Sequence, residues 1–144
     1  MRLLVVNGPN LNLLGARRPD IYGEETLGEL EDQCRTWGRS LGFEVATFQS
    51  NHEGAIIDRL HAAIGDSVGI VINPGALGHT SYALHDAIEA TAIPAVEVHI
   101  SDVASREPWR AESVIRPACL ASISGKGIEG YREAMEMLAA HVGT

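Results

Sequence analysis

The sequence predicts an α/β domain: a parallel sheet of five strands covered by helices on both faces, a three-layer sandwich. Two observations lead there. Short runs rich in β-branched residues alternate with segments of helical period from one end of the chain to the other. The runs are also apolar at successive positions, as strands buried under helices on both sides must be. At 144 residues the chain has the length of one domain. For five strands at this size the common solution is the flavodoxin-like strand order 2-1-3-4-5, and residues 1–144 are expected to form a single domain.

The first strand is Leu3–Val6. After it, Leu27, Leu30, Cys34, Trp37 and Leu41 recur at helical spacing and draw one apolar stripe. Thr26 with Glu29 makes a capping box at the start of that helix, and Gly42 stops it. The second strand is Val45–Phe48. A second helix is expected to begin near Ser50-Asn51-His52-Glu53, again a capping-box spacing, and to carry Ile56, Ile57, Leu60, Ala63 and Ile64. The third strand, Val68–Ile72, leads to a helix that follows Thr80 and Ser81 and ends before Pro94. The fourth and fifth strands are Ala95–Ile100 and Cys119–Ile123, and a last helix runs over 129–141.

Composition narrows the function classes. Hydrophobic residues make up 45% and charged residues 21%, near globular averages, so neither disorder nor a membrane class is favoured. A formal charge of −8 opposes sequence-blind binding to nucleic acid or anionic lipid. The apolar run Leu3–Val6 is too short for a signal or a span. These point to a cytoplasmic protein with a small-molecule partner. Cys34 and Cys119 show no CxxC or zinc spacing and read as reduced core residues.

Ligands of open parallel sheets bind outside the carboxyl ends of the strands, and here those ends are polar. The first strand ends in Asn7-Gly-Pro-Asn10, the third in Asn73-Pro-Gly-Ala76, and the fourth reads Glu97-Val-His-Ile-Ser101. Alternation puts Glu97, His99 and Ser101 on one face of the fourth strand and Val96, Val98 and Ile100 on the other. A satisfied Glu–His pair at a sheet terminus explains that pattern blandly. Polar ends on two further strands favour function, with Glu97 fixing the tautomer of His99 as an acid or base near neutral pH.

Asn73–Ser81 runs from a strand into a helix N-terminus, a place that favours an anion, although a simple turn with a cap explains all of it except Asn73 and His79. His85 and Asp86 suit a solvated helix face. A metal site built from His79, Asp86, Glu97 and His99 lacks HExxH or comparable spacing. No GxGxxG or GxxxxGK[ST] is present, which removes the phosphate loops of dinucleotide and nucleoside triphosphate sites. A receiver domain would need acidic residues where Asn7 and Asn73 stand, and a flavin module a hydroxyl-rich loop after the first strand.

The stretches NGPNLNLLGARRPDIYG, QSNHEGAIID, INPGALGHTSYALHDAI, EVHISDVASRE and GIEGY fall in order over nearly the whole chain. Together they resemble type II 3-dehydroquinate dehydratase. The resemblance implies a flavodoxin-like fold, a homododecamer built from trimers, no cofactor and no metal. It also implies the shikimate-pathway reaction: anti elimination of water from 3-dehydroquinate through an enolate, giving 3-dehydroshikimate without a Schiff base. A single lysine, Lys126, suits that chemistry.

On this resemblance Tyr22 is the lid base that removes the proton beside the ketone. A phenol ordinarily ionises near pH 10, so it needs a nearby cation, the role implied for Arg17. His99 protonates the departing hydroxyl with Glu97 as its partner, and Asn10 stabilises the enolate oxygen through a water. Asn73 and the backbone N–H groups of Ile100 and Ser101 hold the carboxylate; His79 and Arg110 hold ring hydroxyls. Asp86 reaches a neighbouring subunit's site, and Arg106 stands near the lid. Arg18 is a solvated neighbour of Arg17, and Gly15 and Gly23 are hinge candidates for a lid that must open.

Several positions depart from the usual pattern: His85 before Asp86, Leu77-Gly78, Asp102, and Ala104-Ser105. None removes a proposed catalytic group. The rival reading is a flavodoxin-like module that binds a small carboxylate without turning it over; it gives the Arg17–Tyr22 spacing no purpose.

Overall fold

Five strands pair in parallel to form one sheet in the order β2-β1-β3-β4-β5. The strands are β1 (Arg2–Asn7), β2 (Glu44–Gln49), β3 (Gly69–Asn73), β4 (Ala95–His99) and β5 (Ala121–Ser124). The computed structural model describes residues 1–142; the last two residues of the expected 1–144 domain lie outside the described residues. The helices are α1 (Pro19–Tyr22), α2 (Leu27–Ser40), α3 (Glu53–Ala62), α4 (Tyr82–Thr91) and α5 (Glu129–Val142). No described helix is long and apolar enough to cross a membrane.

Period-two alternation sorts the central strands into two cores. Leu3 and Val5 of β1, Val71 of β3, and Val96 and Val98 of β4 pack with Leu30 and Cys34 of α2 and Tyr131, Met135 and Leu138 of α5. Their sequence neighbours Leu4, Val6, Ile70 and Ile72 pack on the other face with Ile56 and Leu60 of α3 and Leu84 and Ile88 of α4. Glu97 and His99 sit opposite Val96 and Val98, as alternation requires. Both cysteines are free thiols; Cys34 is buried and Cys119 half-buried. Burial, above all, pushes each thiol up to about 12.

Local signals behave as the sequence suggests at most helix ends. At α2 the Thr26 hydroxyl accepts from the Glu29 N–H and the Glu29 carboxylate accepts from the Thr26 N–H, a complete capping box. Ser81 caps α4 by accepting from the Leu84 N–H at 2.9 Å. The second helix differs from expectation. It begins at Glu53 with His52 before it, and Ser50 accepts from the His52 N–H. The Glu53 carboxylate is drawn away to accept from the Ser81 hydroxyl at 2.5 Å, tying α3 to α4 in place of a local box.

The segment expected to be a lid also carries more regular structure than a bare loop. Arg18 takes a left-handed conformation, Pro19 opens the single turn α1, and Gly23 closes it at φ +86°. Gly15, at φ +91°, makes the other bend, where a Cβ would stand 3.1 Å from the Glu24 carbonyl oxygen.

Candidate active site

The carboxyl ends of β1, β3 and β4 open into one cleft, to whose lining the segment around α1 contributes Arg17 and Tyr22. Asn10, Arg17, Tyr22, Asn73, His79, His99, Ile100, Ser101, Arg106 and Arg110 all line it, together with apolar walls from Leu11, Leu14 and Val103. Of the residues singled out from the sequence, Glu97 stands behind His99, and Asp86 lies exposed on α4 outside the cleft. The set His79, Asp86, Glu97 and His99 therefore does not converge on one point. Among the described residues no group of three or more His, Cys, Asp or Glu side chains is arranged to hold a metal ion.

Glu97 is fully buried and His99 nearly so. His99 donates from Nε2 to Glu97 Oε2 at 2.7 Å, which fixes the ring's orientation and leaves Nδ1 for the cleft. Burial alone pushes the Glu97 carboxyl up. The His99 hydrogen bond and charge, the Ser113 hydroxyl and the Arg116 guanidinium together outweigh it, and the carboxyl lies below its ordinary range. His79 stacks on His99 with ring centres 5.9 Å apart and meets the edge of Trp109. Its Nδ1 donates to the Glu112 carbonyl, so Nε2 is the atom available to a ligand.

Tyr22, also in the cleft lining, contacts two guanidinium groups. Arg106 donates from Nη1 to the phenolic oxygen at 2.7 Å and to Ser101 Oγ at 3.3 Å. Arg17 lies over the ring face, its central carbon 4.5 Å from the ring centre. The cation at the oxygen is thus Arg106, a residue 84 positions away in sequence. Arg18 faces solvent and pairs with Asp20.

Two further arrangements support the site. Asn73 donates from Nδ2 to the buried Tyr131 hydroxyl at 2.9 Å and accepts from the Gly75 N–H, and Tyr131 donates in turn to Asn7 at 2.6 Å. One Nδ2 hydrogen of Asn73 remains for a ligand. Arg110 stacks on Trp109 and pairs with Glu107, whose carboxyl that contact holds below its usual range. Ser113, Arg116 and Tyr131 carry no signal of this role in the sequence. No spacing links them to the strand ends, and only the fold brings them there.

A parallel sheet whose carboxyl edge gathers a phenol contacted by two arginines and an imidazole–carboxylate pair into one cleft has the architecture of a flavodoxin-like enzyme. The chain belongs to the dehydroquinase class II family, whose model matches residues 1–139. It is 53% identical over 137 residues to catabolic 3-dehydroquinase 1 of Neosartorya fischeri, covering 95% of this chain and 91% of that one. It is 52% identical over 141 residues to 3-dehydroquinate dehydratase 2 of Ralstonia nicotianae, with 94% and 92% covered. The crystal structure of type II dehydroquinase from Butyrivibrio crossotus superposes with a TM-score of 0.94 at 48% identity, over 96% of this chain and 97% of that one.

Proposed function

We propose that the cleft removes water from 3-dehydroquinate to give 3-dehydroshikimate, with Tyr22 as base and His99 as acid. One observation carries this assignment of roles. Two proton-transfer groups line a single cleft, each held by a charged partner at 2.7 Å: Tyr22 by Arg106 and His99 by Glu97. The names of the relatives support the choice of substrate.

The Tyr22 phenolate, stabilised by Arg106 at its oxygen and Arg17 over its ring, takes the proton from the carbon beside the ketone. The electron pair of that C–H bond moves onto the carbonyl oxygen, and the enolate is met by Asn10 through a water. As the enolate collapses, the C–O bond on the next carbon breaks, and His99 delivers a proton from Nδ1 so that the hydroxyl leaves as water. The charge of Glu97 stabilises the imidazolium before the transfer. The remaining Nδ2 hydrogen of Asn73, with backbone groups at Ile100 and Ser101, receives the carboxylate, and His79 Nε2 and Arg110 receive the ring hydroxyls. No amine is asked to attack the ketone: the one lysine, Lys126, pairs with Glu133 at the surface and lies outside the cleft lining.

In the same reading the enzyme is a cytoplasmic homododecamer. Asp86, exposed and outside its own cleft, serves the site of a neighbouring copy. The product is a conjugated enone and absorbs in the near ultraviolet. Turnover that persists in borohydride and is lost in both Tyr22→Phe and His99→Ala is the expected result; turnover surviving either substitution at near-normal kcat would overturn the assignment. Light scattering that reports an isolated chain would overturn the assembly.

A further inference from the structure

The one buried carboxylate of the site is satisfied unevenly. Glu97 Oε2 accepts from His99 Nε2 at 2.7 Å and from the Ser113 hydroxyl at 2.8 Å. Glu97 Oε1 is buried and has no hydrogen-bond partner among the described residues. Gly78 packs against this carboxylate and offers no side chain; a Cβ there would stand 3.4 Å from Oε2. Among the described residues the one cation that reaches Oε1 is Arg116, with Nε at 3.7 Å.

The chain around Arg116 is built to hold that approach. Ile115 is fully buried beneath it, Pro117 fixes the backbone after it, and the Arg116 N–H donates to Ser113 Oγ at 3.1 Å. Ser113 and Arg116 therefore reach the two oxygens of Glu97 from a single turn. The Arg116 side chain is half exposed and borders a surface depression shared with Cys119 and Leu120.

We propose that Arg116 is a positioning residue for the acid, holding Glu97 so that Oε2 stays on His99 Nε2. The inference rests on the dehydratase reading for its kinetic consequences and on this chain's own geometry for the contact. A carboxylate whose two donors both sit on one oxygen is free to turn unless its other oxygen is tied. A buried carboxylate that loses a cation also takes up a proton more readily. Either change loosens His99. The groups facing Glu97 are His99 on its own strand, Ser113 and Arg116 from the turn before β5, and the Cys119 thiol beside them, whose ionisation Glu97 opposes. His79 lies one ring further, against His99.

The test is a double-mutant cycle: Arg116→Gln and Arg116→Lys, each in the wild-type and Glu97→Gln backgrounds, measured as kcat, KM and the pH profile of kcat. The Glu97 carboxyl is titrated alongside by carbon NMR, its signal assigned by its loss in Glu97→Gln. Arg116→Gln is expected to lower kcat about tenfold, mid-range for directly coupled neighbours, with little change in KM. It should move the acid limb of the profile and the Glu97 titration to higher pH. Arg116→Lys should restore most of both, and in the Glu97→Gln background Arg116→Gln should cost nothing further. An equal loss in that background, or an unmoved Glu97 titration, would overturn the proposal. The NMR titration needs no turnover. A protein without dehydratase activity in which Arg116→Gln still shifts Glu97 would therefore count against the dehydratase reading while upholding the contact.

Discussion

Arg106→Ala isolates the cation that meets the proposed base. Its Nη1 stands 2.7 Å from the Tyr22 oxygen. At an effective dielectric of 20 a full charge pair at that separation is worth about 6 kcal/mol. Tyr22 and Arg106 are both half-buried, so water recovers much of that when the arginine is removed. Hydrogen bonds to charged groups measure about 1.5–3 kcal/mol. A loss of about 2 kcal/mol is therefore expected, which lowers kcat roughly thirtyfold. Arg17 touches only the ring face, a contact of about 0.5–2 kcal/mol, so Arg17→Ala should cost less. The assay is the rise of enone absorbance at saturating 3-dehydroquinate, with circular dichroism to verify folding. A folded Arg106→Ala protein within threefold of wild-type kcat would deny Arg106 this role, as would an Arg17→Ala loss larger than that of Arg106→Ala.

Other consequences concern stability. The carboxyl of Glu97 titrates below its ordinary range in the folded protein. It therefore stabilises the fold above the unfolded value, about 4.3, and loses that contribution as pH falls through the folded value. Tm should drop on acidification below about pH 4, and more shallowly in Glu97→Gln; identical slopes would contradict this. Tyr131→Phe removes a hydroxyl bonded to both Asn7 and Asn73. Leaving those buried amides short of a partner should cost about 2–4 kcal/mol in urea unfolding and raise KM through Asn73, whereas a neutral substitution would deny the network its role. Ser81→Ala loses both the cap of α4 and the link to Glu53, and should cost about 1–2 kcal/mol by the same method. In Gly8→Ala a Cβ would meet the Pro74 carbonyl oxygen at 2.5 Å, a backbone atom with little room to yield. A loss of about 1–3 kcal/mol is expected, and unchanged stability would show that the β1 and β3 ends separate freely.

The fold was legible because its signals are local. Apolar runs and stripes place every strand and every long helix, since burial on both faces of a parallel sheet leaves a continuous mark. Boundaries moved where residues outside the run joined the ladder, as Asn7 and Asn73 do by pairing with each other at the ends of β1 and β3. The Ser50–Glu53 box failed because a distant hydroxyl, Ser81, competed for the same carboxylate. Within the site, Glu97 and His99 were readable from strand alternation. Tyr22 and Arg17 were readable only through the family resemblance. Arg106, Ser113 and Arg116 lie in the loops that follow β4 and act across the fold on Tyr22 and Glu97, and no spacing along the chain records those contacts.

Tyr22 and His99 line one cleft, and in the proposed reaction both move protons on 3-dehydroquinate. The most direct measurement follows enone absorbance with purified wild-type protein and Tyr22→Phe side by side. A steady rise is expected with the wild type and a kcat lower by orders of magnitude in the variant; no rise with the wild type, or equal rates in the two, would rule out Tyr22 as the base.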